Sequence, residues 1–166
     1  MDSISEARLH EVMPALADKI SQLASQLAVE HIIFRVTQAL RTWVAQDKLY
    51  AQGRAMPGPI VTNVPGGYSW HNFGCAIDLV PMGMENHNGV IAPDWNAEHP
   101  VWKRIVSVGL SLGLTSGATW RTFKDYPHFQ MTGRFPEDAP DDEVRQLFKD
   151  GGCLAVWNEI CPSASA

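Results

Sequence analysis

The chain has 166 residues, of which 45% are hydrophobic and 19% are charged, and its net charge is −5 at neutral pH. This length predicts one folded domain that buries about 70% of the surface of its unfolded chain, and six tryptophans argue against disorder. The 13 Lys and Arg residues are scattered, which argues against a nucleic-acid partner, and no apolar run approaches the ~20 residues of a membrane span.

The N-terminal third predicts helix, strand and helix. Apolar residues recur every three or four positions over residues 3–28, which is typical of a helix, and Pro14 is expected to divide it into two pieces. "HIIFRVT" (31–37) alternates and predicts a strand with one buried face. The next segment returns to helical spacing and ends at Gly53, so that Arg54 enters the loop that follows.

The middle of the chain combines turns with one strand. "GRAMPGPIVTNVPGGYS" predicts a shaped loop, with a short strand only at Ile60–Thr62. Gly74–Pro81 alternates as a strand, on which Asp78 shares a face with the small Ala76. The polar segment that begins at Met82 is long enough to cover a cleft.

The remaining segments predict mainly helices. A helix is predicted over His99–Leu112, closed by Gly113, and a strand over His128–Met131. A second helix runs from Asp141 or Asp142 through Lys149 and ends at Gly151-Gly152. One further turn covers Leu154–Ile160. The three cysteines form no C-x-x-C pair, so neither a disulfide framework nor a thiolate zinc site is indicated. Cys75 is expected to pack as a buried hydrophobic residue, and a bridge between Cys153 and Cys161 stays open.

Two histidines and one acid stand out by their positions. His71 and Asp78 share a strand and its entry loop, and His128 lies in a second strand. Two imidazoles and one carboxylate are the ligands of an open, catalytic zinc site, and coordination removes the cost of burying a carboxylate. Spacing alone does not decide between this site and a salt bridge from Asp78 to Arg54 or Arg121.

Asp125 stands three residues before His128, with Pro127 between them. A turn there can bring the Asp125 carboxylate beside a water on the metal without making it a ligand, which is the place of a general base. The alternative is a solvated acid in a turn.

Two motifs resemble a known family. Five residues reproduce the pattern Ser-x-His-x-x-Gly-x-Ala-x-Asp, namely Ser69, His71, Gly74, Ala76 and Asp78, and Asp125-Tyr-Pro-His128 follows. Together they resemble the zinc D-alanyl-D-alanine carboxypeptidases and L-alanyl-D-glutamate endopeptidases, which cut peptidoglycan stem peptides. "LYAQGR", "PGPIVTN" and "GGYSWHNFGCAIDL" look most like the endopeptidase branch, which includes phage endolysins.

The resemblance implies a fold and a role for each motif residue. The fold is α+β, with a small antiparallel sheet that carries the zinc site and is flanked by helices. The resemblance implies that His71, Asp78 and His128 bind one zinc ion (Zn2+) per chain and that Asp125 is the general base. It also implies that Arg54 contacts the substrate carbonyl or its oxyanion, and that Ser69 hydrogen-bonds the substrate or orients the site. The carboxypeptidase branch usually has Glu as the base, so Asp125 fits the endopeptidase branch.

We therefore expect a single zinc peptidase domain over residues 1–166. Its expected parts are an N-terminal helical and strand support over 1–50, a metal-site core over 51–133 and a helical tail over 134–166. This tail is too short, and contains too few repeats, to form a separate wall-binding domain. The expected partner is the bacterial peptidoglycan stem peptide, and a monomer is expected. Because the N-terminus lacks the pattern of a signal peptide, we expect synthesis in the host cytoplasm and action on the cell wall after release.

Three alternatives remain at this point. A D-alanyl-D-alanine carboxypeptidase would use the same chemistry but would need Arg54, Arg121 or Lys124 to bind a terminal carboxylate. A catalytically silent, zinc-stabilised module would bind cell-wall peptides or a protein partner, but it has no need for Asp125. A metal-free structural domain would contain no zinc.

Overall fold

The computed structural model describes residues 1–83 and 91–162 and confirms the α+β class with a small antiparallel sheet. The helices are α1 (Ser3–Leu9), α2 (Pro14–Ala28), α3 (Trp43–Ala51), α4 (Val101–Ser111) and α5 (Asp142–Ile160). The strands are β1 (Phe34–Gln38), β2 (Ala76–Pro81), β3 (Thr115–Ser116) and β4 (His128–Gln130). Short 3-10 turns cover Trp70–Phe73 and Gly117–Thr119. Across the described ranges, no helix combines the length and apolar character that crossing a membrane requires.

The chain forms two compact units. The first comprises Met1–Ala39 and the described part of Ala76–Met131, and it holds the sheet with α1, α2 and α4. The second comprises Leu40–Cys75 and the described part of Thr132–Ala166, and it holds α3, α5 and the turn at Trp70–Phe73. The single-domain organisation stays a prediction.

The sheet of the first unit has the strand order β1-β2-β4-β3. Asp78 on β2 lies directly opposite His128 on β4, and Ala76 lies opposite Gln130. Directly opposite residues of antiparallel strands project to the same face, so these four residues share one face of the sheet. Residues on the other face, such as Ile77, Leu79 and Phe129, are fully buried in the core of this unit.

Helices α2 and α4 complete that core. Both show helical periodicity, and their buried residues are Leu16, Ile20, Leu23 and Leu27 on α2 and Trp102, Ile105, Val108 and Gly109 on α4. Full burial of one such side chain contributes about 1.5–3 kcal/mol. A Cβ atom on Gly109 would lie 2.5 Å from Cε1 of Phe129, so glycine lets α4 approach the sheet closely.

The second unit is built around aromatic side chains. The ring of Phe148 on α5 stacks on Trp43 at a centroid distance of 5.4 Å and meets Phe73 edge to face at 5.3 Å. The indole Nε1 of Trp157 donates a hydrogen bond of 2.7 Å to the carbonyl oxygen of Phe73. Helix α5 therefore supports the turn at Trp70–Phe73 from two positions along its length.

Most predicted elements are confirmed within a few residues of their expected ends. Pro14 begins α2, Asp141 caps α5 by accepting a hydrogen bond from the Val144 amide, and Gly151 and Gly152 interrupt α5 with non-helical backbone angles. The cysteines are free, so no bridge joins Cys153 to Cys161, and Cys75 is buried as expected.

Two local predictions differ from the structure. The strand predicted at Ile60–Thr62 is wrong, because within residues 1–83 and 91–162 these β-branched residues pair with no strand, and Ile60 is 56% exposed. Strand β1 begins at Phe34 instead of His31, and the left-handed conformation of His31 (φ 57°) excludes that residue from an extended strand. Residues 84–90 of the predicted cleft-covering loop lie outside the described residues.

Candidate metal centre

Strand pairing positions two of the predicted ligands. Asp78 Oδ1 lies 3.3 Å from His128 Nδ1, and their side chains are 22% and 7% exposed. The backbone carbonyl of Asp78 also accepts a hydrogen bond of 3.2 Å from the Thr37 hydroxyl of β1. The Asp78 carboxylate therefore contacts a histidine of the neighbouring strand.

The third predicted ligand, His71, is carried by the 3-10 turn at Trp70–Phe73 and is 3% exposed. Gly74 ends this turn with φ 65°, a left-handed conformation that glycine adopts without strain. The carbonyl of His71 accepts a hydrogen bond of 3.0 Å from the Arg41 amide. The backbone of His71 is thus fixed both by the end of its turn and by the segment that precedes α3.

Asn72 holds the same turn through its side chain, which is 1% exposed. Its Oδ1 accepts hydrogen bonds from the amides of Gly67 (2.9 Å) and Ser69 (3.4 Å), and its Nδ2 donates to the carbonyl of Arg41 (2.9 Å). One buried amide therefore ties the turn that carries His71 to two backbone segments, at residues 67–69 and at Arg41. Asn72 is not among the site residues predicted from the sequence.

The ligand atoms of His71, Asp78 and His128 all lie within 4.8 Å of one another. Two atoms bound tetrahedrally to one zinc ion, each at about 2.1 Å, lie roughly 3.4 Å apart. The cluster is therefore close to the size of a zinc site, and its two imidazoles and one carboxylate are the donor types that zinc prefers. The donor set and its spacing fit one metal ion per chain.

The surroundings of His128 favour positive charge. Burial lowers the pKa of His128, but the hydrogen bond and charge of Asp78, the hydrogen bond of Gln130 and the charge of Asp125 together outweigh it and raise that pKa. The ring of Trp120 covers the imidazole at a centroid distance of 5.1 Å. This face of the sheet therefore stabilises the protonated imidazole of His128.

Asp125 is half-buried at the start of the turn that leads into β4. Its amide donates to the carbonyl of Gly117 (3.1 Å), and its own carbonyl accepts from the His128 amide (3.3 Å). A Cβ atom on Gly117 would lie 2.5 Å from the Asp125 carbonyl oxygen and 3.1 Å from Cβ of His128. Glycine at position 117 thus lets this turn pack against β4, a contact between distant residues that local sequence patterns do not indicate.

Arg54 and Ser69 lie in the second unit. The exposed Arg54 guanidinium lies 4.1 Å from the ring centroid of Tyr50 and donates to the carbonyls of Tyr50 (2.7 Å) and Thr62 (3.1 Å). Ser69 is half-buried and immediately precedes the turn that carries His71. The structure brings the three predicted ligands together and places Asp125 beside His128.

Comparison with known proteins agrees with this geometry. A family model described as D-alanyl-D-alanine carboxypeptidase matches residues 62–131, which include all three predicted ligands. The peptidoglycan L-alanyl-D-glutamate endopeptidase CwlK of Bacillus subtilis (strain 168) is 35% identical over 130 residues, covering 74% of this chain and 73% of CwlK. The crystal structure of the L-Ala D-Glu endopeptidase ChiX of Serratia marcescens matches with a TM-score of 0.50 and 25% identity, covering 78% of this chain and 87% of ChiX.

The identity to CwlK extends over most of both chains, and the family model spans the metal cluster. A shared fold would not by itself carry an activity, but here 35% sequence identity accompanies it. The chain is a hydrolase that belongs to the M15 family of metallopeptidases.

Proposed function

We propose that this protein is a zinc endopeptidase that hydrolyses the L-alanyl-D-glutamate bond of peptidoglycan stem peptides. The observation that carries the proposal is the cluster of His71, Asp78 and His128, with Asp125 beside His128. Further support comes from CwlK and ChiX, whose names state this specificity.

His71, Asp78 and His128 would hold a zinc ion, which would supply a Lewis acid and lower the pKa of a bound water to about 7. Asp125 accepts the proton of the attacking water and later returns a proton to the leaving amine. The backbone hydrogen bonds of Asp125 to Gly117 and His128 fix its main chain next to β4. Asp has a shorter side chain than the Glu of the carboxypeptidase branch, so its carboxylate must lie closer to the water that it deprotonates.

Arg54 is proposed to donate to the scissile carbonyl oxygen as negative charge develops on it. Within the described residues the guanidinium is bonded to carbonyl oxygens and forms no ion pair, so its positive charge is not neutralised by a carboxylate. Loss of one such donor typically costs ~10² to 10³ in rate. Ser69, next to the turn that carries His71, is proposed to hydrogen-bond the substrate or orient the site.

We also propose that the enzyme is a phage endolysin that acts as a monomer on the bacterial cell wall. Support comes from the segments "LYAQGR", "PGPIVTN" and "GGYSWHNFGCAIDL", which resemble the endopeptidase branch that includes endolysins. Lysis of intact cells and the molar mass of the protein in solution test these two points separately.

The family model that matches residues 62–131 is described as a carboxypeptidase, which favours a second candidate function. A D-alanyl-D-alanine carboxypeptidase releases free D-alanine, whereas the proposed endopeptidase exposes a new D-glutamyl amine. Purified peptidoglycan digested with the zinc-loaded protein is therefore analysed by mass spectrometry. We expect the D-glutamyl amine; free D-alanine as the sole product would replace the first function with the second.

Zinc is measured separately by elemental analysis of the purified protein. We expect one zinc per chain, removed by a chelator together with activity and restored by added Zn2+. A protein that binds zinc but releases no product would be a catalytically silent wall-binding module. A protein that binds no zinc would contradict both the endopeptidase and the carboxypeptidase function.

A further inference from the structure

A buried amide contacts the ring nitrogen of His128 that faces away from Asp78. Oε1 of Gln130 lies 2.8 Å from Nε2 of His128, and Gln130 is 1% exposed. Both residues lie on β4 two positions apart, so their side chains share one face of the strand. On the neighbouring strand β2, Ala76 lies opposite Gln130 and its methyl group leaves space for the longer side chain.

This contact determines which nitrogen of His128 carries the proton. A neutral imidazole has one N–H group and one nitrogen with a free lone pair. An amide oxygen only accepts hydrogen bonds, so the bond to Gln130 places the proton on Nε2 and leaves Nδ1 unprotonated. Nδ1 is the nitrogen that lies 3.3 Å from Asp78 Oδ1.

The Asp78 side of the imidazole is then arranged for a cation. A nitrogen lone pair and a carboxylate oxygen repel each other at 3.3 Å unless a positive charge lies between them. That separation is close to the roughly 3.4 Å between two ligand atoms on one tetrahedral zinc ion.

We propose that Gln130 is a positioning residue, which fixes the tautomer and ring orientation of His128 so that Nδ1 binds the metal. This role rests on the zinc site of the proposed function and adds a residue outside its ligand set. A hydrogen-bond acceptor on the outer nitrogen of a ligating histidine also increases the basicity of the inner one, and removing such a partner typically costs 10- to 100-fold in metal affinity.

Two substitutions at position 130 separate the hydrogen bond from the volume of the side chain. Gln130→Met keeps an unbranched chain but removes the acceptor, whereas Gln130→Glu keeps the acceptor oxygen. Zinc affinity of the full chain is measured by competition with a chromogenic chelator. We expect Gln130→Met to weaken zinc binding about 10- to 100-fold and Gln130→Glu to remain within a few-fold of the wild type.

Phe129→Leu provides the matched control, because Phe129 lies on the same strand but faces the opposite, buried side. This variant is expected to lose stability without losing zinc affinity. Equal zinc affinities for Gln130→Met and the wild-type protein would overturn the proposal. If Phe129→Leu lost as much zinc affinity as Gln130→Met, the proposal would also be overturned, because reduced stability of the strand would then explain both losses.

The tautomer is read directly by 15N NMR of the histidine ring nitrogens in the wild-type, zinc-free protein above the pKa of His128. We expect Nε2 to be protonated. A proton on Nδ1 would mean that the Gln130 amide has the opposite orientation, and the proposal would be wrong even if zinc binds. Because this measurement needs no metal, its result is independent of whether the proposed zinc peptidase activity is found.

Discussion

Asp78 and His128 are positioned by the pairing of β2 with β4, whereas His71 is positioned by hydrogen bonds around a 3-10 turn. In the first case the ladder of a four-stranded sheet fixes the backbone, and strand register alone places the carboxylate opposite the imidazole. In the second case no ladder exists, and the backbone depends on the side chain of Asn72 and the amide of Arg41. We call Asp78 and His128 the sheet side of the candidate metal site, and His71 with its turn the turn side.

The two sides are expected to tolerate change differently. A sheet distributes its support over many backbone hydrogen bonds, so one side-chain substitution removes little of it. The turn depends on a few buried polar groups, and leaving one of them without its partner costs about 1–3 kcal/mol.

The largest effect is expected from removing a ligand on either side. His71→Ala on the turn side and His128→Ala on the sheet side should both lose zinc and at least about 10³-fold in activity, because the metal supplies the nucleophile. Elemental analysis and peptidoglycan digestion measure the two losses. His10→Ala is the control, since His10 is exposed on the surface of the first unit. Full zinc occupancy in either ligand variant would remove that residue from the ligand set.

Asp125→Ala is expected to separate catalysis from metal binding. The variant should keep about one zinc per chain and lose about 10²- to 10⁴-fold in rate, because a general base typically contributes that much. Digestion of purified peptidoglycan is compared with that by Asp138→Ala, which alters an exposed acid. Digestion by Asp125→Ala at the wild-type rate would contradict its role as the base.

Gly117→Ala should disturb the base without touching a ligand. The added methyl group would meet the Asp125 carbonyl oxygen at 2.5 Å, so the turn must move, and a displacement of about 1 Å can cost ~10²-fold in rate. Gly109→Ala creates an equally close contact with Phe129 on the other face of the sheet. We expect both variants to lose about 1–3 kcal/mol of stability but only Gly117→Ala to lower kcat. Equal kcat values for Gly117→Ala and Gly109→Ala would mean that the turn at Gly117 does not position Asp125.

Asn72→Ala tests the turn side. It removes the acceptor for the Gly67 amide and the donor to the Arg41 carbonyl, so we expect a loss of about 1–3 kcal/mol in the free energy of unfolding together with weaker zinc binding. Ser5→Ala is the matched control in the first unit, where the Ser5 hydroxyl accepts a buried hydrogen bond from the Val36 amide. Its stability should fall comparably, measured by urea denaturation, with zinc affinity unchanged. Unchanged zinc affinity in Asn72→Ala would show that the turn does not depend on this amide.

The same contrast explains which parts of the site could be predicted from the sequence. The sheet side lies in two segments that the sequence predicts as strands: Asp78 is an acid in an apolar strand, and His128 follows Asp125 in the second strand. Pairing in register then placed them opposite each other, which spacing alone could not predict. On the turn side all four residues of Trp70–Phe73 are buried, so no periodic pattern distinguishes Asn72 from a surface residue.

Tertiary packing accounts for the remaining differences. Ile60–Thr62 has strand-forming residues but pairs with no strand, so local propensity was overridden. Gly117 packs against Asp125, and Gln130 contacts His128. Both contacts depend on the tertiary fold and not on a local sequence pattern. The family resemblance supplied the ligand set, but the residues that hold those ligands became visible only in the folded chain.

The smallest effect is expected at Asp2, which supports the sheet side from the N-terminus. Its carboxylate caps α1 by accepting from the Ser5 amide (2.9 Å) and pairs with Arg35 on β1. Burial raises the pKa of Asp2, but the hydrogen bonds to Ser5 and the contact with Arg35 outweigh it and leave that pKa lowered. A lowered folded-state pKa means that the stabilisation is present above the unfolded value of about 3.9 and is lost as the pH falls through the folded value.

Asp2→Asn keeps a residue that caps helices well and removes only the charge, so solvent screening limits the expected loss at pH 7 to about 0.5–1 kcal/mol. The loss, measured by urea denaturation, should disappear once the pH is below both pKa values of Asp2, because the wild-type carboxyl is then neutral too. Asn72→Ala exchanges uncharged groups, so its effect should not follow the titration of Asp2. A loss in Asp2→Asn that persists in acid would mean that the capping geometry, and not the charge, supports α1 and β1 at this point.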